Sequence, residues 1–167
     1  VCDKAQSMCV CRHLRPLPNS VGVHVLQHPR ERHHPLGTAR LLRLGLASVH
    51  VHVLTLQGRE AASPPVTLPE GAGLLYPSAD AIDLTTLLPS QRPAHLVVID
   101  GTWAHANRIF RDNHWISTLP RYRLHPVQTS RYRIRTEPRA ECLSTVESVV
   151  AALRLLQPDL KGTEMLE

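Results

Sequence analysis

The sequence predicts an α/β fold, a mostly parallel sheet covered by helices on both faces, with a cysteine loop at its N-terminus. Three observations carry that reading. Apolar, β-branched runs at Val21–Gln27, Val49–Leu56 and Ala94–Ile99 alternate with segments of helical pattern, as in strand–helix–strand units. The run ending at Ile99 leads directly into Asp100-Gly101-Thr102-Trp103, an acid and a helix start at a strand's carboxyl end, where open α/β sheets present ligands. Ser144 and Glu147 stand at capping-box spacing before a long apolar helix pattern.

Taken in order, the first twenty residues, with Pro16, Pro18 and Asn19, read as a cysteine loop and linker. Residues 21–167 then form the α/β core of one domain. Val21–Gln27 is a strand halted by Pro29, and the polar, His-rich residues 30–36 are a loop. Thr38–Ala47 places Ala39, Leu41, Leu42, Leu44 and Leu46 densely enough for a largely buried helix. Val49–Leu56 is a second strand. The Pro- and Gly-containing stretch 57–72 is a surface connection. Leu74–Tyr76 is a short strand stopped by Pro77, and Asp80–Leu88 a short helix. Ala94–Ile99 is the clearest strand, followed by a helix over Thr102–Asn113. Tyr122–Leu124 and Tyr132–Arg135 are short strands, and Ser144–Leu156 is the last helix. No internal repeat or low-complexity segment interrupts this order.

The 167 residues are 43% hydrophobic and 20% charged, enough for one substantial core. No apolar stretch reaches the roughly 18 residues of a membrane span, and no signal-peptide pattern opens the chain. Aromatics are only 4% with a single Phe, so Leu and Val carry the core. The net charge is +5, the pI about 9.4, and the Lys and Arg total of 19 is almost all Arg. Arginine's planar fork suits phosphates, which points to a polyanionic partner; the codon bias of a GC-rich genome gives the same excess without one. Cys2, Cys9 and Cys11 crowd the start, whereas Cys142 stands alone beside Glu141 and reads as structural. Thiolates at the first spacing converge on one tetrahedral zinc. Three are one short of a closed site, and the fourth ligand is either His13 or a residue upstream.

Each candidate has a functional and a structural reading. Asp100 serves as a base, as an acceptor for a ligand, or as half of an Asp-Gly turn. Trp103 stacks on a ring or joins the core. Ser144, Thr145 and Glu147 open a helix, which is also an anion site, but capping explains Ser144 and Glu147 and leaves Thr145 over. His28 and Glu31 form an acid–base pair or cap a strand end. His33, His34, His50 and His52 lack carboxylate or Cys company at metal-ligand spacing; His50 and His52 share one strand face. Arg131, Arg133 and Arg135 share another, toward phosphate or water. There is no Gly-rich dinucleotide fingerprint, phosphate loop or Gly-x-Ser-x-Gly elbow.

Together, Cys2…Cys9-x-Cys11, Gln27-His28-Pro29-x-Glu31, Thr38-Ala39, Leu75-Tyr76-Pro77, Asp100-Gly101-Thr102-Trp103, Tyr132-x-x-Arg135 and Leu143-Ser144-Thr145-x-Glu147 resemble the DTW-domain family. The resemblance runs in order from residue 2 to about residue 157. It implies a SPOUT-related fold and an S-adenosylmethionine-dependent tRNA-uridine aminocarboxypropyltransferase, cytoplasmic, with tRNA as partner; the sequence does not fix the oligomeric state, for which a monomer is the simplest expectation. It implies Asp100, Thr102 and Trp103 as catalytic residues. Leu75, Tyr76, Pro77, Asp100 and Gly101 would face the cofactor, joined by Leu143, Ser144, Thr145 and Glu147. His28, Arg30 and Glu31 with Arg131, Arg133 and Arg135 would face RNA, and Cys2, Cys9 and Cys11 would hold zinc. The chain departs from the family pattern where a Cys-x-x-Cys pair is reduced to Cys2, and where Ser148 replaces an Ala.

Other functions share some of these features. Aminocarboxypropyl transfer to ribosomal RNA, methyl transfer by a SPOUT relative, and a non-catalytic zinc-containing RNA-binding module all fit the basic charge and the cysteines. A pure binder has no need of a buried acid beside a cofactor pocket, so Asp100-Gly101-Thr102-Trp103 with Ser144-Thr145-Val146-Glu147 separates that reading from the enzymatic ones.

Overall fold

A computed structural model describes residues 6, 9–34, 37–55, 63–125 and 143–166. Its strands are β1 (Gly22–Gln27), β2 (Val49–Val53), β3 (Ala72–Leu75), β4 (Ile82–Asp83), β5 (His95–Asp100) and β6 (Arg121–Arg123). They form one six-stranded sheet in the order β2-β1-β5-β3-β6-β4. Every pairing is parallel. The helices are α1 (Ala39–Gly45), α2 (Trp103–Asp112), the short α3 (His114–Ser117) and α4 (Thr145–Leu156).

Parallel strands need crossovers, and the crossovers cover both faces. Val23 and Val25 of β1 and Leu96 and Val98 of β5 pack with Ala39 and Leu42 of α1 and with Val146, Val149, Val150 and Leu153 of α4. The alternate residues Leu26, Leu74 and Val97 pack with Ile109 of α2 and Ile116 of α3 on the other face. All six residues of β1 are buried, as befits a central strand. From β1 the chain leaves through α1 to β2, at one edge. From β5 it leaves through α2 and α3 to β6, on the opposite side of β5. The carboxyl ends of β1 and β5 are therefore a topological switch point, where an open α/β sheet leaves a crevice.

The predicted elements recur with shifted ends, and the segment 80–88 is a correction. Ile82 and Asp83 form β4, paired with Tyr122 and Arg123, and Leu84–Thr86 and Pro89–Gln91 are 3-10 turns. The Asp83 carboxylate accepts from the Thr85 backbone N–H at 2.9 Å and from its hydroxyl at 2.6 Å. Such local side-chain bonds compete with a helix ladder, and Pro89 stops what remains. The strand at Tyr132–Arg135 lies outside the described residues, as do Cys2 and Cys142. The linker is more than a spacer: Leu17 bridges Leu46, and Asn19 bonds Val21 and Ser48.

One part of the sheet is not apolar. His24, His50, His52 and His95 share the face that carries Leu26 and Val97, with His24 in register with His50. His24 is 4% exposed, and its two ring nitrogens lie 3.2 Å from His52 Nε2 and 3.3 Å from His95 Nδ1. A side chain at Gly22 would collide with the His95 ring, so that glycine lets His95 lie across β1. Burial first, then His52, His50 and His95, lower the His24 imidazole from 6.5 to about 4. The unfolded chain therefore takes up a proton near pH 6.5 that the fold accepts only near 4. Stability present above about pH 6.5 is lost as the pH falls through that window. The melting temperature should drop between about pH 7 and pH 5, and drop less in His24→Gln. Equal pH slopes for the two proteins would contradict this origin.

Candidate active site

Asp100 ends β5, and Gln27 ends β1 as its register partner. Along β5, residues 96, 98 and 100 alternate onto the α4 side, so Asp100 turns toward the start of α4. It is only 5% exposed. Gln27 Nε2 donates to its Oδ2 at 3.0 Å, and Thr145 Oγ1 donates to its Oδ1 at 2.8 Å. The His28 N–H donates to the Asp100 carbonyl at 2.9 Å. A buried carboxylate is costly unless hydrogen-bonded, and here both oxygens are served by side chains from different elements.

Thr145 reaches Asp100 because α4 starts where it does. The Ser144 N–H and hydroxyl both donate to Glu147 Oε2 at 2.8 Å, and Ser144 Oγ accepts from the Glu147 N–H at 3.4 Å. Ser144 and Glu147 are both buried and form the expected capping box. Their side chains face each other, and Thr145, the first helical residue, is left to face the crevice. Leu143, just before the cap, is half-buried.

The α2 side of the crevice is different in character. Thr102 is exposed and caps α2, its hydroxyl accepting from the His105 N–H at 3.2 Å. Trp103, the first residue of α2, is half-buried. His105 lies face to face with His28, ring centroids 3.9 Å apart and planes 4° from parallel. Gly101 makes this stack possible, because a Cβ there would stand 3.1 Å from that of His105 and 3.5 Å from that of His28. Burial, and after it His105 and Arg30, hold the His28 imidazole below its ordinary range. The Arg30 N–H donates to His28 Nδ1 at 3.2 Å, which places the His28 proton on Nε2. Arg30 itself is exposed and Glu31 buried.

At the end of β3, Leu75 turns to the α4 side and Tyr76 to the α2 side. Tyr76 donates to Asn107 Oδ1 at 2.7 Å and stacks on Phe110 at 4.2 Å, and burial pushes its hydroxyl up. Pro77 is exposed. The adjacent ends of β1, β5 and β3 thus gather Gln27, His28, Asp100, Gly101, Leu75 and Tyr76, with Thr145 arriving from α4. Gln27 stands in one of the motifs but without an expected role, and His105 and Asn107 were not expected at the site. A polar residue closing an apolar strand was the available signal for Gln27. His105 and Asn107 depend on how α2 leaves the sheet, which no local pattern encodes. Cys9 and Cys11 are half-buried in the N-terminal segment. Among the described residues, no three His, Cys, Asp or Glu side chains are placed to hold a metal ion. Cys2, Arg131, Arg133 and Arg135 lie outside the described residues.

The DTW domain model matches residues 1–167. The chain belongs to the DTW-domain family. This DTW domain is similar to tRNA-uridine aminocarboxypropyltransferase 2 of Mus musculus, 32% identical over 164 residues, which are 93% of this chain and 55% of the mouse protein. It is similar to the Drosophila melanogaster protein of the same name, 34% identical over 178 residues, 97% of this chain and 68% of the fly protein. With tRNA-uridine aminocarboxypropyltransferase A of Arabidopsis thaliana it shares 24% identity over 196 residues, 95% of this chain and 72% of the plant protein. The chain thus spans little more than half the length of the mouse relative. No solved structure matches it. No helix among the described residues is long and apolar enough to cross a membrane.

A hydrogen bond to an ionised group contributes about 1.5–3 kcal/mol, and a helix cap about 1 kcal/mol. Thr145→Val should lower the unfolding free energy by about the first amount and Ser144→Ala by about the second or more. Thr145→Ser should restore most of the loss. Urea unfolding measures all three; a Thr145→Val protein as stable as the wild type would mean the bond to Asp100 holds nothing.

Proposed function

We propose that this DTW domain transfers the 3-amino-3-carboxypropyl group of S-adenosylmethionine to a ring nitrogen of a uridine in tRNA. The observation that supports it most is the fixing of Asp100 between Gln27 and Thr145, which joins three separate family motifs in one buried hydrogen-bonded set. A protein that only binds RNA has no use for a carboxylate buried at that cost. The relatives' names supply the reaction, and the net charge of +5 suits a polyanionic acceptor.

The sulfonium activates three neighbouring carbons, so the group transferred is decided by which carbon stands in line with the uridine nitrogen. When that nitrogen attacks the carboxypropyl carbon, the carbon–sulfur bond breaks and 5′-methylthioadenosine leaves neutral. The uracil N–H proton leaves to solvent, and its charge balances that of the sulfonium consumed. Asp100 accepts from Gln27 at one carboxylate oxygen and from Thr145 at the other, which fixes the orientation of the group. We assign it the orientation of the cofactor's amine or of the uracil N–H, with Gln27 and Thr145 holding its plane. Leu75, Tyr76, Gly101 and Leu143 would border the cofactor, and Trp103 and Thr102 would shape the loop above it. Ser144 and Glu147 act through the cap they form. Arg30, with Arg131, Arg133 and Arg135, would meet phosphates. The fold is read as SPOUT-related and the setting as cytoplasmic on the same family grounds.

We further propose that Cys9 and Cys11 hold a structural zinc ion together with Cys2. Two half-buried thiols, two residues apart, are a suitable half of such a site. Zinc would fix the N-terminal segment and take no part in the transfer.

Nucleosides from unmodified tRNA incubated with the protein and S-adenosylmethionine should contain an aminocarboxypropyl uridine by mass spectrometry. Asp100→Ala should remain folded and lose at least about tenfold in rate, roughly 1.4 kcal/mol of barrier. Detection of methyluridine instead, or undiminished turnover in the variant, would reject the assignment. Elemental analysis should find zinc in the wild type and less in Cys9→Ser/Cys11→Ser, with S-adenosylmethionine affinity unchanged; a metal-free wild-type protein would remove the zinc site.

A further inference from the structure

We propose that His105 is the stacking platform for the acceptor uracil, with His28 as the positioning residue beneath it; this rests on the function proposed above. The two imidazoles make a flat double layer at the mouth of the β1/β5 crevice, with centroids 3.9 Å apart and planes 4° from parallel. His28 is the buried member at 7% exposure, and His105 is half-buried. Of the two residues, His105 therefore supplies most of the exposed surface.

The layer is built rather than incidental. His28 is locked from both ends, its N–H donating to the Asp100 carbonyl and its Nδ1 accepting from the Arg30 N–H. His105 is locked differently. Its backbone N–H is held by the Thr102 cap, while its buried Nδ1 makes no hydrogen bond among the described residues. Stacking, not polar contact, thus sets the plane of its ring. Gly101 keeps the space between strand end and stack clear.

Single-stranded RNA bases are recognised by stacking on aromatic or imidazole faces, with nearby cations tracking the backbone. Arg30 and Arg108 both lie close enough to His28 to disfavour its charged form, against the opposing pull of Glu31, so two cations stand near the platform. The adenine of the cofactor is the competing planar ligand. Uracil is favoured where Asp100, which bonds Gln27 and Thr145 on the α4 side, orients the cofactor's amine, because that leaves the stack on the α2 side for the base.

The test separates ring from bulk. His105→Ala and His105→Leu should weaken binding of a uridine-containing single-stranded RNA roughly tenfold, on the order of one lost base stack, whereas His105→Phe should stay near wild type. KM for tRNA should rise in the same pattern with kcat little changed, and S-adenosylmethionine affinity should be equal in all four proteins. Thermal melts identify any variant that fails to fold, and the Phe variant keeps the test decisive in that case. RNA binding by His105→Leu equal to wild type would reduce His105 to packing and overturn the platform. So would a loss confined to S-adenosylmethionine affinity. If wild-type protein shows ring-dependent RNA binding but transfers nothing, the platform stands and the proposed reaction falls.

Discussion

The pairing of β1 with β5 is the constraint on which the rest of this structure depends. The two strands run in parallel register from Gly22 beside His95 to Gln27 beside Asp100, and their apolar side chains feed both cores. Because the side-chain period of a strand is two, a slip of one residue would exchange its faces. A slip of β5 would take Val98 out of the α4 core and swing Asp100 away from Thr145, and a slip of β1 would do the same to Val25 and Gln27. Register, core and site are thus one specification. The glycine at the start of the pair, with a side chain excluded by His95, helps to hold it.

The same pairing divides the carboxyl edge of the sheet into two chemical sides. On the α4 side, a buried carboxylate is fixed by an amide and a hydroxyl that come from a strand and a helix far apart in sequence. On the α2 side, imidazoles and aromatics lie flat against one another: His28 with His105, Tyr76 with Phe110. Polar orientation on one side and planar surface on the other are complementary means of holding a charged small molecule and a nucleobase. Loops need contribute little precision, since rigid strand ends and capped helix starts position the groups.

Much of this was legible in the sequence, for identifiable reasons. The strand at Ala94–Ile99 and the helix from Ser144 announced themselves because period and capping chemistry agreed. The meeting of Asp100 and Thr145 followed from resemblance, not from local pattern, since 45 residues separate them. The segment 80–88 misled because helical spacing of Leu residues was outweighed by what Asp83 offers the backbone. The fold of 163–166, where a 3-10 turn returns Leu166 to the core against Gly45, is a tertiary event with no local signal. His105 escaped for the same reason, its role being set by a neighbour 77 positions away, His28, across a glycine.

The row formed by His95, His24 and His52 has one more consequence. A neutral imidazole owns one donor and one acceptor, and His24 uses both nitrogens toward its neighbours. The row can therefore be polarised in either direction along the sheet, by a change of tautomer in all three rings that takes one proton from solvent at one end and returns one to solvent at the other. Both ring nitrogens of His24 are satisfied by imidazoles and not by a fixed charge. That makes this patch a reversible dipole laid across the strands, insulated from the carboxylate on the opposite face by the thickness of the sheet.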